Sequence, residues 1–237
     1  MSLPEHREEQ IVVGMFDRGL LGFPRDGVTL KSGRKSPYYY NARNSLSFDK
    51  SLDQNGIMTV EKQREFRRAL IVGYSAMFLS VTTPVDHVFG KAQSATAPSA
   101  VSAYEADISY IWERVDEPHK IYGNHQRIEG NYEQGDNVLI ADDVTTDGMS
   151  KAEGSKVLTA VGLNPVSISL QFDREEGGVQ TLENEYGFEV NAVTSLSKSV
   201  RFLLGNHRIN NAVVETLQKY HDELRADGIA STFEFRG

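Results

Sequence analysis

The sequence contains no cysteine and no long apolar run. A chain of 237 residues without cysteine can form neither disulfides nor thiolate metal sites, so we expect a reducing, cytoplasmic location. No apolar stretch approaches the roughly 18 residues of a membrane span, and the N-terminus is polar and charged, unlike a signal peptide. The net charge of −8 argues against a general nucleic-acid-binding protein. We therefore expect neither a membrane nor nucleic acid among its partners.

Histidines are few, and their spacing is not that of metal ligands. They stand at positions 6, 87, 119, 125, 207 and 221. Protein metal sites usually place their ligands at short, regular spacings. We therefore predict surface or loop positions for these histidines and no metal ion held by the protein itself.

Short apolar strands alternate with helices along most of the chain. We predict strands near residues 85–90, 107–112, 138–142, 166–173 and 189–196, and helices over residues 5–18, 61–79, 97–104, 150–161, 181–186 and 206–226. This order predicts one α/β domain over residues 1–237, with a parallel central sheet flanked by helices and ligands at the carboxyl ends of the strands. The polar segment 45–59 and the tail from Gly228 carry no interpretable pattern.

The most informative stretch runs from Asn137 to Ala152. A buried strand ends at two carboxylates, Asp142 and Asp143, and a loop of small residues then leads into a helix. Amides at a helix N-terminus and nearby hydroxyls favour a phosphate, whereas paired carboxylates suit ribose hydroxyls or Mg²⁺. The alternative is a solvated turn that only caps the helix. Asp147 favours that alternative, because it places a negative charge where the phosphate would lie.

This stretch resembles the ribose-phosphate signature of type I phosphoribosyltransferases, two acids followed by a Thr-x-Gly-x-Ser/Thr-like loop. The resemblance implies that Asp142 and Asp143 act in catalysis by holding the ribose of phosphoribosyl pyrophosphate (PRPP). It also implies that the following loop cradles the 5′-phosphate through Val144, Thr145, Thr146, Asp147, Gly148, Met149 and Ser150.

Two further segments are similar to orotate phosphoribosyltransferases. Leu30 to Asn41, reading LKSGRKSPYYYN, combines cations with tyrosines; a plain hairpin with an aromatic face would also explain it. The resemblance implies that Lys31 reaches both substrates and that the Tyr39–Tyr40 backbone meets orotate, together with Thr146. In the second segment, Asp173 to Gly178, it implies that Arg174 pairs with the orotate carboxylate, a geometry that suits a guanidinium. Residues 1–60 would supply a helix and a hood over the base, and residues 61–237 the α/β core.

Two more segments, one around Gln93 and Ser94 and one over residues 113–130, follow the family pattern only in part. Gln93 and Ser94 stand where the family usually has a Tyr-Lys pair that meets PRPP, and Lys91 is the nearest alternative cation. Residues 113–130 resemble the family's mobile loop. There the resemblance assigns PRPP contacts to Arg114, Lys120 and Tyr122 and gives Lys120 a catalytic role.

The resulting hypothesis is that orotate and PRPP give orotidine 5′-monophosphate and pyrophosphate, with Mg²⁺ carried mainly by the pyrophosphate. The resemblance also implies a homodimer in which lid residues reach the neighbouring site. Two alternatives stay open. One is a phosphoribosyltransferase for another base. The other is a weakly active or non-catalytic nucleotide-binding relative, which Gln93–Ser94, Val115 and Asp147 motivate.

Overall fold

A computed structural model of the chain describes residues 3–30, 33–91, 93–114, 127–146 and 148–235, Ser150 without its side chain. Its helices are α1 (Glu5–Asp17), α2 (Lys50–Gln54), α3 (Val60–Phe78), α4 (Thr96–Glu105), α5 (Met149–Ala160), α6 (Gly178–Asn184), α7 (Leu196–Gly205) and α8 (Asn211–Ala226). Its strands are β1 (Leu21–Gly22), β2 (Val28–Thr29), β3 (Lys35–Ser36), β4 (Tyr39–Tyr40), β5 (His87–Gly90), β6 (Ser109–Glu113), β7 (Ile128–Glu129), β8 (Asn137–Thr145), β9 (Asn164–Asp173) and β10 (Glu189–Ser195). Among the described helices, none is long and apolar enough to cross a membrane.

One six-stranded sheet organises the fold, in the order β10-β9-β8-β5-β6-β7. The first five strands in this order run parallel, and β7 pairs antiparallel with β6 at the edge. The predicted α/β class with a parallel central sheet is therefore confirmed, with β7 as an additional strand. Because β5 and β8 are parallel neighbours, their carboxyl ends lie side by side at one edge of the sheet.

The central strand β8 separates two hydrophobic cores. Leu139 and Ala141 pack into a core with α1, α3, α7 and α8, whereas Val138 and Ile140 pack into a second core with α5 and α6. This alternation follows from the two-residue period of a strand, and all four side chains are fully buried. Burying one aliphatic side chain contributes about 1.5–3 kcal/mol, so the strand is held firmly from both faces.

The N-terminal segment differs from the expected hairpin. Within the Leu30–Asn41 segment, β3 and β4 are two separate short strands, and they pair with different partners. β3 pairs with β2, whereas β4 pairs with β1. Pro37 has no backbone N–H to give to a ladder, and Tyr38 beside it is fully buried. The chain therefore changes partner at these two residues.

The C-terminal region contains more structure than the sequence pattern indicated. The helix predicted over 206–226 begins only at Asn211, and α7 precedes it; the side chain of Asn210 caps α8 by accepting from the Val213 N–H at 3.3 Å. The described part of the tail, residues 228–235, also packs on the fold, because Phe233 is fully buried.

The prediction of surface histidines is wrong for two of the four histidines that the structure describes. His87 and His221 are buried, whereas His6 and His207 are exposed. His87 Nε2 lies 2.8 Å from Asp136 Oδ2. The His221 ring stacks on Phe233 with 4.5 Å between ring centroids. Both rings are thus enclosed by tertiary contacts, which a spacing argument along the chain does not detect.

Candidate active site

The acidic pair lies within the end of β8, because this strand continues to Thr145 instead of stopping before Asp142. The loop after the neighbouring strand β5 meets it there. The hydroxyl of Ser94 donates to Asp143 Oδ2 at 2.7 Å, and Asp143 is half-buried. The structure thus brings together two residues that the sequence assigned to PRPP from separate motifs.

The two acids have different surroundings. Asp142 is only 6% exposed, and both of its carboxylate oxygens are engaged inside the protein. Oδ2 lies 2.9 Å from Lys151 Nζ, and Oδ1 accepts the backbone N–H of Asp143 at 2.8 Å. Burial raises the pKa of Asp142 to about 6, although the Lys151 ammonium opposes this shift. Of the two carboxylates, Asp143 is the one that a ligand at this edge can reach.

The residues after the acids form a tight bend that begins α5. Gly148 precedes this helix with φ +81°, a conformation that favours glycine. A Cβ on Gly178 would lie 2.5 Å from the Thr146 carbonyl oxygen, so the first residue of α6 packs directly against the bend. Thr146 and Met149 are exposed, whereas Thr145 is buried and its hydroxyl makes no hydrogen bond to the described residues. The Lys151 N–H donates to the Gly148 carbonyl at 3.0 Å. The two amides before it, at the start of α5, have no acceptor within the helix, as at any helix N-terminus.

Arg174, the predicted orotate ligand, lies inside a closed network. Its Nε and Nη2 donate to Glu176 Oε1 at 3.1 and 2.8 Å, and Nη2 also donates to Ser36 Oγ at 3.0 Å. The guanidinium carbon lies 4.2 Å from the centre of the Tyr38 ring, and the Tyr38 hydroxyl donates to Glu176 at 2.7 Å. The Tyr220 hydroxyl of α8 reaches the same carboxylate at 3.3 Å. The role of Arg174 with orotate stays a prediction.

The neighbouring tyrosines of the hood have structural partners. The Tyr40 hydroxyl donates to Gln171 Oε1 at 2.8 Å, and the Tyr39 hydroxyl donates to the Gly19 carbonyl at 3.0 Å. Both side chains thus fasten β4 to the rest of the fold. The predicted contact with orotate concerned their backbone, and it also stays a prediction.

The base of the predicted lid is a charged antiparallel ribbon of β6 and β7. Arg114 Nη1 lies 3.2 Å from Glu129 Oε1, and Arg127 Nη2 lies 3.0 Å from Glu113 Oε1. Lys91 Nζ lies 3.7 Å from Glu113 Oε2, at the same edge of the sheet. Gln93 is exposed in the turn before α4. The remaining predicted site residues lie outside the described residues: Lys31, Lys120, Tyr122 and Asp147. Val115, which departs from the family pattern, also lies outside them.

Two concavities of about 600 Å³ each lie away from the bend. One is at the amino ends of the strands, between Asp86, His87 and Asp136. The other is lined by the end of α1, by β1 and by the connection from α7 to α8. The candidate site is therefore assigned from the placement of its side chains and not from the shape of a cavity.

Lys151 and Glu176 are the residues that the sequence interpretation missed. A lysine in the first turn of a helix is unfavourable next to the positive end of the helix dipole. That placement was the available signal for a special partner of Lys151. Glu176 lies within the segment Asp173 to Gly178, but the sequence does not indicate that Tyr38 and Tyr220 meet at its carboxylate.

Comparison with known proteins gives relatives of one kind. No family model matches the chain. The orotate phosphoribosyltransferase of Yersinia pestis (strain Pestoides F) is 29% identical over 187 residues, which cover 74% of this chain and 78% of the relative. The structure of Leishmania donovani UMP synthase matches with a TM-score of 0.71 and 23% identity, over 90% of this chain and 42% of the synthase. The Francisella tularensis orotate phosphoribosyltransferase matches with a TM-score of 0.65 and 20% identity, over 90% of this chain and 94% of the other.

These similarities in structure establish the class of fold. The central sheet with its flanking helices is that of the type I phosphoribosyltransferases. The resemblance to orotate phosphoribosyltransferases in particular is also confirmed, since the curated relatives carry that name. The chain spans less than half of the UMP synthase that it matches.

Proposed function

We propose that this chain is an orotate phosphoribosyltransferase of UMP biosynthesis. A ring nitrogen of orotate would bond to C1 of the PRPP ribose as the bond from C1 to the pyrophosphate oxygen breaks. The pyrophosphate would leave with the electron pair, the proton on the ring nitrogen would pass to the pyrophosphate or to water, and orotidine 5′-monophosphate would be the other product. The single observation that carries the proposal is the half-buried carboxylate of Asp143, which accepts a hydrogen bond from the Ser94 hydroxyl at 2.7 Å. This carboxylate stands a few residues before the N-terminus of α5, and a helix N-terminus favours a phosphate.

At the sugar end, the bend supplies both kinds of partner that PRPP needs. Asp143 would accept the ribose hydroxyls, and the first amides of α5 would donate to the 5′-phosphate. Two carboxylates next to the ribose favour the positive charge that develops on it during the transfer. The reaction needs no covalent nucleophile from the protein, so positioning and charge stabilisation account for the catalysis.

At the base end, Arg174 retains donors for a carboxylate. A guanidinium has five N–H groups; one on Nε and two on Nη2 are directed at Glu176 and Ser36. Those on Nη1 make no hydrogen bond to the described residues. The Arg174 network already holds this side chain in one orientation, so binding orotate would cost little further side-chain entropy.

The proposal includes Mg²⁺, a homodimer and a cytoplasmic location. No group of three acid or histidine side chains suited to a metal ion occurs among the described residues. In the proposal, Mg²⁺ is carried mainly by the pyrophosphate of PRPP. When bound, Mg²⁺ would neutralise charge on the leaving pyrophosphate. Lys120 of the lid would add to that neutralisation, from the neighbouring subunit if the chain is a homodimer.

A steady-state assay tests the proposal. The purified chain is mixed with PRPP and orotate, adenine, hypoxanthine or uracil, each with Mg²⁺ and with excess EDTA, and the nucleotide product is separated and quantified. We expect turnover of orotate alone, lost in EDTA. Turnover of a different base would replace the orotate assignment. PRPP binding by calorimetry without turnover of any base would instead support the non-catalytic relative.

A further inference from the structure

Lys151 is a buried cation inside the bend. It belongs to the first turn of α5 and is 5% exposed. Its ammonium lies 2.9 Å from Asp142 Oδ2 and also donates to the backbone carbonyl of Val144. One side chain thus joins the start of the helix to two positions at the end of β8, across the bend that would hold the phosphate.

Stability alone does not explain this arrangement. Moving a carboxylate and an ammonium out of water costs several kcal/mol per ion, and apolar residues of similar size are often as stable as such a pair. The position in the first turn adds an unfavourable interaction with the helix dipole. A lysine with these disadvantages, placed beside the proposed ribose ligand, points to a role in the site.

The charges around Asp142 indicate what that role is. Asp143 follows it in the same strand, and Tyr74 of α3 donates its hydroxyl to the Asp142 carbonyl at 2.7 Å. Lys151 is the cation that faces it from α5. Burial and the neighbouring Asp143 carboxylate both disfavour the charged form of Asp142. The ammonium opposes both effects, and burial still raises the pKa of Asp142 to about 6.

We propose that Lys151 is a positioning residue of the PRPP site. It keeps Asp142 ionised and ties the first turn of α5 to the end of β8, while Asp143 meets the ribose. This inference deepens the proposed function and rests on it. Lys151 does not touch the reacting atoms; it acts through the acids and through the shape of the bend.

PRPP binding measured by calorimetry with Mg²⁺ between pH 5 and 8.5 tests the inference. Lys156 is exposed on the same helix, so Lys156→Met is the matched control for Lys151→Met. We expect Lys151→Met to weaken PRPP binding at pH 7 by about tenfold or more and to move the acid-side midpoint of binding upward by about one pH unit. Lys156→Met should keep the wild-type affinity and midpoint. The titration of PRPP itself is common to all three proteins.

A second variant covers the case in which Lys151→Met does not fold. Lys151→Arg keeps the cation, and we expect it to fold and to keep a midpoint near that of the wild type. A Lys151→Met protein that folds and binds PRPP with unchanged affinity and midpoint would overturn the inference, as would a Lys151→Arg protein with a shifted midpoint. Failure of the wild type to bind PRPP would instead overturn the proposed function, so the two failures are distinct.

Discussion

The bend at the end of β8 and the network around Arg174 both bury an ion pair at the carboxyl edge of the sheet, but they are assembled differently. In the bend, Asp142 and Lys151 lie nine positions apart in the sequence. In the Arg174 network, Ser36 and Tyr38 of the hood meet Arg174 and Glu176 after β9, and Tyr220 arrives from α8. One site is local, and the other joins three distant segments of the chain.

The difference suggests a division of labour. The Arg174 network is enclosed by aromatic rings and fastens the N-terminal hood and the C-terminal helix to the sheet, so its charges should matter first for folding. The bend leaves Asp143 half-buried at the surface, and its charges should matter first for binding. Four substitutions test this difference between the two regions, and they follow from the largest expected effect to the smallest.

Glu176→Ala should give the largest loss of stability. Glu176 is 5% exposed and accepts from Arg174, Tyr38 and Tyr220, so its removal leaves a buried guanidinium without a counter-charge. We expect the free energy of unfolding to fall by about 3–5 kcal/mol. Urea unfolding at pH 7 measures this loss. The exposed Glu185 is the control, and Glu185→Ala should change stability by less than about 0.5 kcal/mol. A similar small change for Glu176→Ala would contradict the structural role of the network.

Arg174→Met should weaken the binding of orotate and not that of PRPP. A paired guanidinium and carboxylate form a strong, directional contact, so we expect KM for orotate to rise about 100-fold while KM for PRPP stays within about threefold. Because this change leaves Glu176 buried without its partner, the double variant Arg174→Met with Glu176→Met serves as the folding control. Equal increases of both KM values in the double variant would remove Arg174 from the orotate site.

His221→Phe should remove a pH-dependent loss of stability. Burial lowers the pKa of His221 to about 4, so the ring is neutral in the folded protein at pH 7. A pKa below the unfolded value contributes stability above about pH 6.5 that is lost as the pH falls toward 4. Because of His221, we expect the free energy of unfolding of the wild type to fall by about 2–3 kcal/mol between pH 7 and pH 4.5.

Urea unfolding of the wild type and of His221→Phe at both pH values measures the difference. Asp142 and Asp173 have pKa values raised to about 6 by burial, so they act in the opposite direction as the pH falls, but they are common to both proteins. An equal loss of stability in the two proteins would show that His221 does not titrate as its burial requires.

The same contrast explains which features the sequence predicted. The five parallel strands, most of the helices between them and the residues of the bend follow from local periodicity and from consecutive residues, and the sequence predicts them. The Arg174 network depends on which segments meet in space. Tyr38 reads as one of three tyrosines in a row, and Glu176 as a solvated acid at a strand end. The hydrogen bond between Tyr38 and Glu176 joins residues 138 positions apart, so no local sequence pattern indicates it.

The structure of the C-terminal region was not predicted, for a related reason. α7 starts directly at the end of β10, with Ser195 as its first flanking residue and no glycine or proline to mark the change. Its buried face packs on α1, which is far away in the sequence. Phe233 is buried by contact with His221 and not by a pattern in its own segment. Tertiary packing, rather than propensity, therefore determines these elements.

Ser94→Ala tests the bend with the smallest expected effect. The Ser94 hydroxyl orients Asp143 at 2.7 Å. A hydrogen bond to a charged group contributes about 1.5–3 kcal/mol, and less here because water can replace the hydroxyl at the half-buried Asp143. We expect KM for PRPP to rise about fivefold, with kcat, KM for orotate and the melting temperature nearly unchanged, whereas Ser94→Thr, which keeps a hydroxyl, should lie closer to the wild type. The small size of the effect is itself informative, because Asp143 keeps its position in the strand and loses only one restraint. A loss of stability without a change in KM for PRPP would mean that this hydrogen bond supports the fold, as the contacts of Glu176 do, and the contrast between the two regions would fail at the bend.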